Sequence, residues 1–466
     1  MITAPRLRLV RPRLTGIAVA TVLLVAGTYA TMWVTPPPGE PTAAGGLTVP
    51  APGLAPAMAP AAGANDRLLA RFDRAITAWN TNVTSNPGDY ASSTNLGTVY
   101  VGRARLTGDL ADYQRALTAA DQAIEINAPY LPAHALRAVV LFALHDFHGA
   151  LAEARATRDI DAGNLQALAT IGDASLELGD VEEARLAYVE LERVAPSAPV
   201  FSRLAHLAFI DGDPDHAIDL VQRAVSSVAR EPASETTAFY SFQLGELHRA
   251  RGEVAMAAAA YEQALDDLPT YVPAMAGLAR IREAQGRRNE AIELLGGATA
   301  RLPQPEIVAA LGDLYALAGD PGAAEQQYAL VERIGLLAAA TASVYDRQLV
   351  VFAADHDRGL EEAVVQARAA LSIHPDIYGH DALAWVLFKA GRLGEARAEA
   401  EAALILGTQD ARLAYHAGMI AAAQGKSAEA KRLLTAALAG AAYLPPLQVP
   451  ALKAAIGSLL APEVPR

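Results

Sequence analysis

Residues 244–269 read LGELHRARGEVAMAAAAYEQALDDLP. Gly252 with Glu253 divides this stretch into two runs of about a dozen residues each. Glycine there supplies a helix stop. In the second run Ala257, Tyr261 and Ala264 fall at i, i+4 and i+7, which sets one apolar face inward. Pro269 ends that run, because proline has no backbone N–H to donate. The stretch therefore predicts two antiparallel helices joined by a tight turn.

The pattern recurs outward in both directions. The alanine that opens the second run appears at Ala116, Ala150, Ala184, Ala217, Ala257, Ala291, Ala324, Ala363, Ala396 and Ala430. Most steps are 33 or 34 residues, with longer ones of 40 and 39 before Ala257 and Ala363. Another small residue precedes most of these by twelve positions, among them Gly172, Gly245, Gly312 and Gly418. Small residues at the crossing let the paired helices approach closely. One hairpin cannot bury its apolar face alone, so neighbours must stack into a continuous core. This array resembles the tetratricopeptide repeat family. Leu244-Gly245-Glu246-Leu247, Gly252, Ala257, Tyr261, Ala264 and Pro269 fit that family's signature nearly position for position. Leu311-Gly312, Tyr315, Gly319, Ala324 and Tyr328 fit almost as well. The resemblance covers roughly residues 65–446 and implies an all-α, right-handed superhelical α-solenoid of helix-turn-helix repeats. We expect about ten repeats, with Ala75, Trp79 and Pro87 in an N-terminal half repeat. Residues 447–466 should form a capping helix and tail.

The N-terminus reads differently. Residues 1–13 carry four arginines and no acid, and residues 14–34 carry no charge. Twenty such residues span a hydrocarbon core. We expect a transmembrane helix, or alternatively a cleaved signal peptide, with the array on the extracytoplasmic side. Residues 35–64 are rich in Pro, Ala and Gly and are expected to be a disordered linker, reaching about 90 Å if extended.

Composition narrows the chemistry. The chain has 466 residues, no cysteine and a net charge of −13. That removes disulfides, thiolate metal sites and cysteine nucleophiles. The acidic balance argues against nucleic acid. No phosphate loop, nucleophile elbow, HExxH or EF-hand pattern is present, so no catalytic residue, cofactor or metal site is expected. His145 and His148 lack a third nearby metal ligand apart from Asp146. Asp211, Asp213 and Asp215 lack the closing glutamate of a calcium loop and read as a solvated, capping turn. Asp355, His356 and Asp357 read as capping residues at a helix end.

The resemblance implies that the first helix of each repeat lines a concave groove. Carried over by position, the early lining includes Phe142, Asp173, Glu177, His206 and Phe209. The candidate partner-binding groove comprises Phe242, Glu246, Arg249, Arg280, Tyr345, Gln348, Phe352, Tyr378, Asp381, Trp385, Arg412 and Tyr415. Its last third concentrates aromatics among a few charges, which is the composition of binding hot spots. The family's carboxylate clamp for chaperone tails needs Lys and Asn at set positions, and neither occurs at them here. The leading expectation is a non-enzymatic, membrane-tethered scaffold that holds a protein or peptide partner. The alternatives are an accessory or regulatory subunit of an envelope complex or transporter, and a solenoid that binds a small ligand, saccharide or metal.

Overall fold

The computed structural model describes residues 62–107, 109–340 and 347–460. The basic segment 1–13, the apolar run 14–34, all but the end of the linker, Tyr345 and residues 461–466 lie outside them. Among the described residues no helix is long and apolar enough to cross a membrane. The single-pass placement expected from the sequence is corrected on that finding. The first helix, α1 (Ala62–Ser85), begins inside the stretch assigned to the linker, where alanine is frequent and favours helix.

Among the described residues there are 22 α-helices and no strand. After α1 come ten hairpins. The first five are α2 (Tyr90–Thr107) with α3 (Leu110–Ile126), α4 (Leu131–Ala143) with α5 (Phe147–Ile160), α6 (Leu165–Glu177) with α7 (Val181–Val194), α8 (Ala198–Ile210) with α9 (Pro214–Val228), and α10 (Glu235–Ala250) with α11 (Val254–Asp267). The second five are α12 (Val272–Ala284) with α13 (Arg288–Arg301), α14 (Pro305–Leu317) with α15 (Pro321–Ala340), α16 (Arg347–Asp355) with α17 (Leu360–Leu371), α18 (Ile377–Lys389) with α19 (Leu393–Ala403), and α20 (Ala411–Ala423) with α21 (Ser427–Ala439). A short 3₁₀ turn (Ala441–Tyr443) leads to α22 (Gln448–Leu460).

Two local devices build each hairpin. The first is the turn. At the end of α6 the Asp180 N–H bonds to Ser175 O at 2.8 Å and the Gly179 N–H to Leu176 O at 3.1 Å. This closes the helix with Gly179 in the left-handed region. Asp180 then accepts from the Glu183 N–H at 3.0 Å and so caps the next helix. Asp213 and Asp320 do the same for α9 and α15, which accounts for the Gly-Asp pairs and for part of the Asp-rich turn. The second device is the crossing. Tyr188, Tyr261 and Tyr328 lie against Gly172, Gly245 and Gly312, where no Cβ would fit. The alanines that mark the repeat are fully enclosed, with Ala116, Ala150, Ala184, Ala217 and Ala257 all at 0% exposure.

The solenoid also closes on itself. Hydrogen bonds join residues 193 to 199 positions apart, or roughly six repeats of 34 residues. The Gln409 amide donates to Gly212 O at 2.7 Å, and Arg249 donates to Ala442 O at 3.3 Å and Tyr443 O at 3.2 Å. His374 Nδ1 lies 3.3 Å from Glu177. Along this seam the turns of the third to fifth hairpins meet the loops that leave the eighth to tenth. One apolar cluster runs through both sides, from Leu168 to Leu452.

Glycine is required in these turns for two separable reasons, only one of which belongs to the seam. Gly212 and Gly319 share nearly the same φ, +81° and +82°. A Cβ on Gly212 would collide with Gly407 O across the seam, whereas a Cβ on Gly319 meets nothing within 4 Å. Gly319→Ala should therefore cost only the left-handed conformation, about 1 kcal/mol. Gly212→Ala should cost more and also part the seam. Small-angle scattering should show an enlarged radius of gyration for Gly212→Ala alone. Equal radii would remove the seam from the account.

Candidate functional site: a concave channel

The closure converts the open groove expected from the sequence into a channel. It holds a cavity of about 1390 Å³, lined from Leu69 on α1 to Pro446 near the C-terminus. Most of its wall comes from the first helix of each hairpin.

The acids of the lining are fixed by tyrosines on the second helices. Tyr188 donates to Asp173 at 2.7 Å and Tyr328 to Asp313 at 2.9 Å, while Tyr261 donates to Glu246. Each acid follows the crossing glycine, so the same close approach brings the phenol within reach. Each acid also has a basic partner. Arg203 grips Asp173 through two bonds of 2.8 and 2.9 Å. Arg249 pairs with Glu246, and His356 Nε2 lies 2.9 Å from Asp313. Burial pushes the Glu246 carboxyl up, but Arg249 outweighs it and holds the group below its ordinary range. Burial works against the charge on Arg203, yet Asp173 keeps its pKa above the ordinary value. Glu177 faces both Arg347, 4.0 Å away, and His374.

Not every lining charge is held this way. Arg280 has no hydrogen bond or ion pair among the described residues, although its charge helps depress Glu246. Glu235 lines the cavity near Arg105, and its burial raises its pKa against the pull of that arginine. A lining of apolar side chains with a few oriented acids and an unpaired guanidinium suits an extended peptide segment.

The structure divides the residues expected from the sequence. Phe242, Glu246, Arg249, Arg280, Gln348, Phe352 and Arg412 line the cavity, as do Phe142, Asp173 and Glu177. Tyr378, Asp381, Trp385 and Tyr415 do not. They are 2–4% exposed and sit inside the wall. The Trp385 indole stacks on His416 with centroids 4.2 Å apart and donates to Asp355 at 2.7 Å. Asp381 lies 2.9 Å from His416 and 3.6 Å from Arg412. His206 and Phe209 are likewise buried in the core, and burial pushes the His206 pKa down to about 3.

Two polar clusters read from the sequence also find places. His145 adopts a left-handed φ of 63° where other repeats carry glycine. Its ring packs on Phe147 and His374 at the seam, and burial pushes its pKa down to about 3. Asp355 and His356 join separate helices, and His356 Nδ1 also bonds Phe352 O at 2.9 Å, a capping contact at the end of α16. Asp355 accepts from Trp385 and Gln448, and His356 reaches Asp313. Among the described residues no group of three or more His, Asp or Glu is placed to hold a metal ion.

Sequence reasoning missed Arg203, Arg347 and Tyr443, all of which line the cavity. Arg203 stands 30 residues after Asp173, one turn of the pattern short of a full repeat, and that recurrence was the available signal. Tyr443 carries no such signal, because it lies beyond the last hairpin.

Two family models match the chain, both described as tetratricopeptide repeat, over residues 196–270 and 248–314. The chain carries tetratricopeptide repeats. The matched span includes the stretch around Gly245 and Tyr261 that defines the crossing. No curated protein matches the chain. Solved structures similar to this tetratricopeptide array include the human IFIT1 dimer with PPP-AAAA, at 18% identity over 68% of this chain and 73% of that chain, TM-score 0.46. A tetratricopeptide repeat protein from Parabacteroides merdae is 19% identical over 54% of this chain and 95% of its own, TM-score 0.42. PilW, a widely conserved type IV pilus biogenesis factor, is 18% identical over 44% of this chain and 92% of its own, TM-score 0.38. At these identities and scores the structures carry no information about function.

Proposed function

We propose that the protein is a non-enzymatic interaction scaffold that holds an extended segment of a partner protein inside its tetratricopeptide channel. The observation that carries this reading is the lining itself. It is continuous over eight hairpins and fixes Asp173, Glu246 and Asp313 at every second repeat. Acids held at every second repeat, with an unpaired Arg280 between two of them, can be read by a chain that runs along the channel. Nucleophilic catalysis would need an oriented nucleophile and base, and Asp173, Glu246 and Asp313 are instead committed to tyrosines and basic side chains.

The test is a crosslinking pull-down from native extract with the full chain and with Arg280→Glu. Arg280 has no hydrogen bond or ion pair to lose among the described residues, so the variant should fold, with its melting temperature lowered only by the loss of a favourable charge beside Glu246. Its reversed charge should cut recovery of the partner at least about tenfold. Full recovery by the variant would place docking outside the channel and overturn the reading.

A further inference from the structure

The end of the chain crosses the channel as a strap. After α21 the chain passes Gly440, which packs so closely on Ala250 O that a Cβ would lie 2.6 Å from it. The 3₁₀ turn then rests on α10, α12 and α20. Arg249 places its guanidinium 4.1 Å from the centre of the Tyr443 ring and donates to the Ala442 and Tyr443 carbonyls. Tyr443, Pro445 and Pro446 line the cavity, and Tyr443 is 5% exposed. At the far end the Gln448 amide donates to Asp355 on α16 at 2.8 Å. The strap thus runs from the fifth hairpin to the eighth across the concave side.

Its contacts are those of a bound peptide. Arg249 commits Nε and one terminal nitrogen to Glu246, and gives the other terminal nitrogen to the strap. That division leaves one terminal nitrogen, with its two N–H groups, and the guanidinium face for a segment lying in the channel. Two successive prolines follow and bring no backbone N–H that would need a partner there. Elsewhere in the lining Asp173 and Asp313 are answered by side chains of the wall alone. Among these three sites only Arg249 also binds chain beyond the last hairpin, through the carbonyls of its 3₁₀ turn.

We infer that residues 441–446 cover an internal binding site in the channel wall, and that the partner presents a segment of the same chemistry, an aromatic residue followed by prolines, which displaces the strap. This rests on the reading of the channel as a peptide site. Because the strap competes, the intact chain binds such a segment more weakly in proportion to the time the site stands open. Tyr443→Ala removes the ring that holds the strap on Arg249.

The probe is the fluorescein-labelled peptide Ala-Ala-Tyr-Leu-Pro-Pro, titrated by anisotropy into the full chain and into Tyr443→Ala. The variant should bind at least about tenfold more tightly than the unaltered chain, a ratio set by the fraction of open sites. The same peptide with Ala in place of Tyr should not share the gain. Equal affinities for both chains, or an equal gain for the Ala peptide, would overturn the inference. Should Tyr443→Ala fail to fold, hydrogen exchange on the unaltered chain decides. Saturating Tyr peptide should speed exchange at the 441–444 amides while leaving α20 protected, and unchanged protection would overturn the inference. A negative result here, with partner recovery still sensitive to Arg280→Glu, would discard the strap and keep the channel.

Discussion

Asp173→Ala should cost about 3–5 kcal/mol of stability, among the largest effects of any single lining substitution. The reason is the partner it abandons. Arg203 is 3% exposed, and apart from Asp173 its hydrogen bond is to Pro199 O at 3.1 Å. Deleting the carboxylate leaves a buried guanidinium short of its counter-charge and a buried Tyr188 hydroxyl without its acceptor. Removing both charges together should be milder. Asp173→Ala/Arg203→Leu is expected to recover part of the loss, because no uncompensated charge then remains. Denaturant unfolding of the two single variants and the double variant measures this. Simple additivity of the two single losses would show that the pair is not coupled. The damage should stay near the third and fourth hairpins, since repeat arrays lose structure locally.

Trp385→Ala should cost a similar amount, about 3–5 kcal/mol, and for a different reason. The indole is 4% exposed and fills the space between α16, α18 and α20. It stacks on His416, meets Phe388 at 5.2 Å and Tyr415 at 5.6 Å, and gives its N–H to Asp355. Truncation opens a void and removes one of two donors from an acid whose burial already raises its pKa. Trp385→Phe should fare better, since it keeps most of the packing and loses the hydrogen bond. Thermal unfolding of the Ala and Phe variants orders the two contributions. A Trp385→Ala chain of unchanged stability would return the residue to the surface and to partner binding.

The Trp385 case shows where the sequence was legible and where it was not. Period, crossing glycine and turn chemistry are local, so Gly245, Gly252 and Tyr261 already describe the hairpin they build. Lining positions are less local. Glu246, Arg249 and Phe352 face the cavity because they follow the repeat register, and the register was readable. Trp385 and Tyr415 occupy the same kind of position, but their large rings turn into the gaps between helices, where they bury more apolar surface. Rotamer and neighbour volume decide that choice, and neither is written in the spacing. The seam was illegible for a stronger reason. It depends on the angle accumulated over roughly six repeats, so a small error per repeat would open it. Only afterwards does Gly212 differ from Gly319, since the two serve the same turn and only one meets a second turn of the superhelix.

The central claim is that this second turn closes the channel. The chain has no native cysteine, so spin labels can be placed cleanly at His216→Cys and Ile405→Cys, exposed positions on opposite sides of the seam. Pulsed electron resonance on the doubly labelled full chain should return one short and narrow distance. Gly212→Ala in the same background should lengthen and broaden it. A long or broad distance without that substitution would mean that the solenoid stands open, and the channel would fall with it.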